Sequence, residues 1–354
     1  MQRKRVRRIN AVDVVLWLVG GSILVVVVIG SILTLREGRY TLTQWFDLAV
    51  FGLAQGSVYA LIALGYTLVY GILRMINFAH SEVFMSGAFL GFYVMNAANY
   101  SGLLDTNPIL PILLTFIVAI LTSVTVAVLL ERIAYRPLRL APRLVPLITA
   151  IGASFFLQYT FRSLFGTQNR AYPDIPILKG TVSIFGVFQI QKIQIVVITA
   201  AALMMLVLYL FVQRTRTGKA MRAVSEDKAT AALMGIDVDA MIVRTFVLGA
   251  IAAGAAGVLY CFMFRQVAFY MGFVPSIKAF TSAVLGGIGN LPGAFLGGLF
   301  LGVFESIGPT LFLSGLGVPA PYQLKDVIAF TMLVLVLIFR PSGILGERLA
   351  ATKA

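Results

Sequence analysis

The segment RTRTGKAMRAVSEDKATAALMGIDVDAMIVR, Arg214 to Arg244, decides how the rest of the chain is read. It separates two long apolar runs, Ile193–Val212 and Met241–Met263, and is one of two loops crowded with basic residues. Within it Glu226 and Asp227 open a short helical pattern that places Ala229, Ala232 and Leu233 at i, i+3, i+4 spacing. Gly235 falls where that helix stops, and Asp237 or Asp239 is placed to cap the next one. A short amphipathic helix between membrane spans suits docking to a soluble partner. An ordinary solvated surface helix fits the same composition.

The chain around it has 354 residues, 59% hydrophobic and 12% charged. Soluble domains carry roughly a quarter charged residues, so a large water-soluble core is excluded and the pattern is that of a polytopic membrane protein. The net charge is +14, but the basic residues sit at the ends of apolar runs, as the positive-inside rule requires. Nucleic-acid binding is excluded because no aromatic-interleaved basic stripe stands clear of the membrane. Cys261, the single cysteine, lies in an apolar run and cannot form an intrachain disulfide. His80 is the single histidine, and no metal site is expected.

Taken in order, Met1–Arg8 (MQRKRVRR) precedes an apolar stretch, Val12–Leu35, that is too long for a signal-peptide core and lacks a small-residue cleavage site. It reads as an uncleaved anchor helix, so residues 1–44 form a basic tail with an extra span. Further spans follow at Trp45–Gly71, from about Phe78 to Met95, at Ile109–Leu130, Leu144–Phe165, Ile193–Val212 and Met241–Met263. The loop with Arg132, Arg136, Arg139 and Arg143 is cytoplasmic, whereas Asn96–Asn107 lies outside with no basic residue. Gly166–Lys192 is an outside segment with a hairpin-like VSIFGVFQIQ. Ser276–Gly289 and Pro292–Leu313, joined by GNLPG, read as broken or re-entrant glycine-rich helices. A last short span, Val327–Phe339, starts nearer Tyr322 and leads to a cytoplasmic tail, 341–354. The expectation is an all-α bundle of about ten spans with both termini inside, whose membrane-embedded body covers 45–340 with a cytoplasmic loop at 214–240. Gly87-Ala-Phe-Leu-Gly91 recurs as Gly293-Ala-Phe-Leu-Gly297, a faint internal echo.

Two motifs are candidates for a translocation pathway. Gly286, Gly287, Gly289, Gly293, Gly297, Gly298 and Gly302 provide small-xxx-small spacing, and Asn290 with Pro292 fits a turn at a helix break. Such glycines either pack helix backbones together or open a break whose backbone lines a cavity. Asn77, His80 and Glu82 cluster in INFAHSE at a helix entrance, where they either cap the helix or line and gate a pathway. Glu305 is a lone acid in an apolar run that pairs with another helix or sits near the outer face, and Gln55 and Gln158 suit interhelical hydrogen bonds. The acids of the apolar runs are scattered in sequence, unlike the paired midplane acids of an ion-driven carrier. H-E-x-x-H and G-x-S-x-G motifs are missing, and Gly218-Lys219 lacks the upstream glycine of a Walker A loop. No catalytic residue is expected, and ATP, if used, is hydrolysed by another chain.

Three blocks resemble a known family. Gln55–Phe89 (QGSVYALIALGYTLVYGILRMINFAHSEVFMSGAF), Gly218–Leu259 (GKAMRAVSEDKATAALMGIDVDAMIVRTFVLGAIAAGAAGVL) and Ala283–Ser306 (AVLGGIGNLPGAFLGGLFLGVFES) resemble the LivH-type inner-membrane permease of branched-chain amino acid ABC importers. The blocks lie in family order. The resemblance implies a non-catalytic permease paired with a homologous second permease, two cytoplasmic ATPase subunits that hold ATP and Mg, and an extracytoplasmic binding protein. It implies that Glu226–Gly235, with Asp227, Ala229, Ala232 and Leu233, is a coupling helix seated in an ATPase groove. INFAHSE and LGGIGNLPG would lie along or near the pathway, with the membrane of a bacterial or archaeal cell as the location. Related permeases carry urea, short amides or other neutral amino acids. Ser81 stands where the family often has glycine, and the helix Val12–Leu35 exceeds the usual permease start. A standalone channel or ion-driven carrier is the reading from another class, and a membrane enzyme stands behind both for want of a catalytic constellation.

Overall fold

The computed structural model describes residues 11–139, 141–142, 144–184, 186–340 and 343–345. The basic cluster Met1–Arg8, Arg143 and most of the tail 341–354 lie outside these residues. Among the described residues thirteen α-helices follow one another: α1 (Ala11–Glu37), α2 (Leu42–Leu73), α3 (His80–Tyr100), α4 (Leu103–Thr106), α5 (Ile109–Leu129), α6 (Leu144–Phe165), α7 (Lys192–Arg214), α8 (Arg216–Glu226), α9 (Lys228–Leu233), α10 (Val238–Phe264), α11 (Phe273–Gly286), α12 (Leu291–Leu313) and α13 (Lys325–Phe339). Eight are long and apolar enough to cross a membrane: α1, α2, α5, α6, α7, α10, α12 and α13, the last with the 3₁₀ turn from Pro321 before it. Adding α3 and the short apolar α11 completes the expected set of ten. The chain is a multi-pass helical membrane protein. Short strands β1 (Arg170–Ala171), β2 (Thr181–Ile184), β3 (Phe188–Gln191) and β4 (Gln266–Val267) pair antiparallel, β2 with β3 as the expected hairpin and β1 with β4.

Sequence and environment agree on which helices lie at the centre. The apolar windows of α2, α10 and α12 are 78%, 72% and 56% buried, whereas those of α5, α6 and α7 stay at 17–22%. The outer helices expose Leu113, Ile148, Phe156, Leu203 and Val207, side chains that suit lipid. At the centre α2 and α12 run against each other through glycine. A Cβ on Gly56 would meet Gly298 O at 2.6 Å, and one on Gly302 would collide with the backbone of Gly56. Without a hydrophobic drive between helices in lipid, such backbone contact is a main source of association. The echoed glycines pack closely too, but on different partners: Gly87 against α5 and α10, Gly293 and Gly297 against α11.

Three boundaries correct the sequence reading. α12 runs unbroken over 23 residues through Gly293, Gly297, Gly298 and Gly302, so the glycines serve packing and the helix is not interrupted. α11, at 14 residues or about 21 Å, is too short to cross a core of about 30 Å by itself, and the residues between β4 and Phe273 make up the rest of that crossing. Asn96–Tyr100 belongs to α3 and Leu103–Thr106 forms α4, so most of the supposed exit loop is helical. The leading helix α1 docks on the far end of α12, where Gly30 meets the Phe312 backbone and Thr34 Oγ1 accepts a hydrogen bond from Gly315 N at 2.8 Å.

Candidate functional site: a docking arm and two buried polar clusters

The arm between α7 and α10 is two helices rather than one. Glu226 closes α8, and Asp227 starts α9, so Glu226 does not open the second helix. Asp227 Oδ1 accepts from Ala229 N at 2.8 Å and from Thr230 N at 3.1 Å, which satisfies amides that a helix start leaves free. These bonds, with the Thr230 amide the largest influence and the Thr230 hydroxyl next, hold the Asp227 carboxyl below its ordinary pKa. Gly235 stops α9 at φ +80°, and Asp237 caps α10 by accepting from Ala240 N at 3.0 Å. Ala231 is the buried residue of α9, while Ala229, Ala232, Leu233 and Gly235 face outward. Leu233, the last residue of α9, is 87% exposed and Met234, its C-cap, 78%, two large apolar side chains left open at the end of the arm.

Ties run from this arm into the bundle. Arg74, left-handed at φ 56° where α2 ends, donates to Ser225 O at 3.2 Å. Asp239, in the first turn of α10, is gripped by Arg136 at 2.8 Å and by Arg139. Those guanidinium groups, Arg136 first, hold the Asp239 carboxyl below its usual range. Arg139 also pairs with the buried Glu131, which lies in a π-helical turn, Leu130–Tyr135, that continues α5. Arg74, Arg136 and Arg139 therefore mark one basic end of the bundle.

Tyr135 leads from that turn to the first polar cluster, donating to Asn77 Oδ1 at 2.5 Å. Asn77 does not cap α3 with its side chain; Ala79 is the N-cap residue, and Asn77 contributes its backbone carbonyl to His80 N. His80 packs edge-on against Tyr66, 5.1 Å between ring centroids, in space left by Gly65. Glu82 Oε1 accepts from Ser154 Oγ at 3.0 Å and from Ser81 Oγ at 3.1 Å. Asn77 Nδ2, His80 Nε2 and Glu82 Oε2 are buried and have no hydrogen-bond partner. Burying such atoms unpaired costs roughly 1–3 kcal/mol each. The three residues singled out in INFAHSE are all buried, but their side chains face different neighbours: Asn77 meets Tyr135, His80 meets Tyr66 and Glu82 meets Ser154.

The glycine turn is organised differently. Gly287 (φ 106°) and Gly289 (φ 101°) take backbone conformations closed to most residues, and Asn290 caps α12 by accepting from Gly293 N at 3.1 Å. Gly286 and Gly293 bring the backbones of α11 and α12 into contact. Ile344 N and Leu345 N donate to Leu285 O and Gly286 O at 2.8 and 3.1 Å, while Asn290 Nδ2 donates to Leu345 O at 3.0 Å. Between this turn and the first cluster lies a cavity of about 10 Å³ lined by Tyr66, Tyr70, Ile76, Phe280, Ala283 and Ile288, room for one water at most.

A second cluster lies deeper. Lys278 on α11 reaches Glu305 Oε1 on α12 at 2.5 Å and Asp326 Oδ1 on α13 at 2.6 Å. The first contact is a hydrogen bond; the second is ionic, without hydrogen-bond angles. Gln55 Nε2 donates to the same Glu305 oxygen at 2.9 Å. Glu305 and Gln55 join helices as expected. Lys278 was overlooked, although a lysine inside the apolar run Ser276–Gly289 was itself a signal. The acids that look scattered in sequence are gathered here, so their spacing does not argue against an ion-driven carrier.

The comparisons fit this architecture. Residues 48–337 match the family model described as branched-chain amino acid transport system / permease component. The high-affinity branched-chain amino acid transport system permease protein BraD of Pseudomonas aeruginosa is 45% identical over 301 residues, 84% of this chain and 94% of that one. The corresponding LivH of Escherichia coli K12 is 42% identical over 310 residues, 87% and 96% of the two chains. A probable branched-chain amino acid transport permease protein LivM of Methanocaldococcus jannaschii is 30% identical over 149 residues, 40% of this chain and 43% of that one. The chain belongs to the family of permease components of branched-chain amino acid transport systems.

Proposed function

We propose that this chain is the membrane-embedded permease subunit of an ATP-driven importer for branched-chain or other hydrophobic amino acids. It forms half of the translocation pathway, pairs with a homologous second permease, and performs no covalent chemistry. Two cytoplasmic ATPase subunits bind ATP and Mg, and an extracytoplasmic binding protein delivers the solute. The basic end faces the cytoplasm of a bacterial or archaeal cell, with both termini on that side.

The observation that carries the reading is the exposed pair Leu233 and Met234 on α9, held out from the basic end. An exposed apolar face at a helix end suits a groove in a soluble partner. Nucleotide-driven movement of that partner pulls on α9, and the Arg74–Ser225 bond and the Asp239–Arg139–Glu131 chain lead inward to the turn of Tyr135 and so to Asn77. A bistable bundle biased from one end in this way couples two distant sites. Gly286, Gly287, Gly289, Asn290 and Gly293 form the hinge beside that path.

Replacing Leu233 and Ala232 with Asp is expected to release the ATPase subunits on purification while the permease stays in the membrane. Unchanged co-purification defeats the coupling assignment. Accumulation of amino acid by the purified chain alone in liposomes, driven by an ion gradient, defeats the importer reading.

A further inference from the structure

One ammonium serves two carboxyl groups in the Lys278 cluster, and the partners are unevenly distributed. Lys278, Gln55 and Tyr59 all address Glu305 Oε1, at 2.5, 2.9 and 3.5 Å. Glu305 Oε2 is buried with no partner. The side chain of Asp326 is 44% exposed, although its Oδ1 is buried against Lys278. Depth matters here. Glu305 stands about 21 Å along α12 from its basic-end start at Leu291. Gln55 and Tyr59 lie near the middle of the 32-residue α2. A half-exposed carboxylate at such depth is costly against lipid and belongs beside water or a polar partner.

We propose that Glu305 and Asp326, held by Lys278, form a cation-accepting station on the translocation pathway proposed above, and that its ligand is the α-ammonium group of the transported amino acid. This rests on the transport reading above. An ammonium brings three N–H donors and no acceptor, which suits the unpaired Glu305 Oε2 and the outward part of the Asp326 carboxylate. Lys278, once Asp326 turns to the solute, attracts the solute's carboxylate.

Tyr322 lies four residues before Asp326 and is 40% exposed, so a cysteine there reports on the station without removing a member of it. The test uses Tyr322→Cys with Cys261→Ser in the complex assembled with its partners in membrane vesicles. Cationic aminoethyl and anionic sulfonatoethyl methanethiosulfonate are compared with and without ATP. Relative to a free thiol, the cationic reagent is expected to gain roughly tenfold. Glu305→Gln and Asp326→Asn should each abolish that gain; if one of these variants fails to assemble, the other decides. Leucine should slow the reaction and 4-methylpentanoate, which lacks the amine, should not. Labelling by an uncharged maleimide alone, a charge preference that both substitutions leave intact, or equal effects of the two solutes overturns the station. Uptake by the unsubstituted complex tests the transport reading separately.

Discussion

The two buried polar clusters share depth of burial but differ in how they are completed. Around Lys278, three helices, α11, α12 and α13, are joined by opposite charges through one ammonium. Around His80, three polar atoms on or beside one helix start are left without partners. The first arrangement holds three helices by charge and leaves one carboxylate oxygen, Glu305 Oε2, open. The second is held by its surroundings and can gain bonds when they move. Buried polar groups thus divide into those that fasten helices and those that await a rearrangement.

Cutting the fastening cluster gives the largest expected effect. Lys278→Met strands Glu305 and Asp326 and should cost about 3–5 kcal/mol, read as a fall in thermal stability of the purified complex. A variant of ordinary stability would remove the distinction between the clusters. Tyr135→Phe withdraws the donor from Asn77 Oδ1 and should cost about 1–3 kcal/mol in the same assay. Glu82→Gln keeps an acceptor for Ser81 and Ser154, so stability should hold while uptake drops roughly tenfold, equivalent to about 1.4 kcal/mol. Loss of stability without loss of uptake would make this cluster a fastener as well.

The smallest effect concerns the route between arm and bundle. Asp239 has a carboxyl pKa depressed first by its hydrogen bond from Arg136 and then by Arg139. Its contribution is therefore present above roughly pH 4, the ordinary Asp range, and disappears as pH falls through the lower folded value. Asp239→Asn should remove this acid-sensitive part, below about 1 kcal/mol at a half-exposed pair. Stability of native and variant complexes followed from neutral pH downward checks it; parallel curves would dismiss the pair.

Much of this was legible in the chain itself. Ten apolar helices follow from run length and charge placement because lipid forces every span to satisfy its own backbone. Gly235, Asp237 and the cluster Asn77, His80 and Glu82 were readable because local rules govern them. The split of the arm into α8 and α9 was missed because Asp227, read as part of a helix start, caps one helix where another ends. The continuity of α12 was missed because glycine breaks helices in water but is tolerated where a neighbouring backbone fills its space, as Gly56 does for Gly302. The Lys278 cluster joins residues 278, 305 and 326, and such long-range pairing leaves no periodic trace. The exposed face of Leu233 and Met234 was half visible, since spacing marked an amphipathic helix but not which side would be left open.

The short stretch at 343–345 has a consequence for how the protein is made. Its amides close the last turn of α11, residues that leave the ribosome some sixty positions earlier. Until that stretch emerges, this short helix ends on bare carbonyls within reach of the membrane. A protein shortened to Arg340 would keep every long span and still lack the clasp that lets its shortest one stay folded.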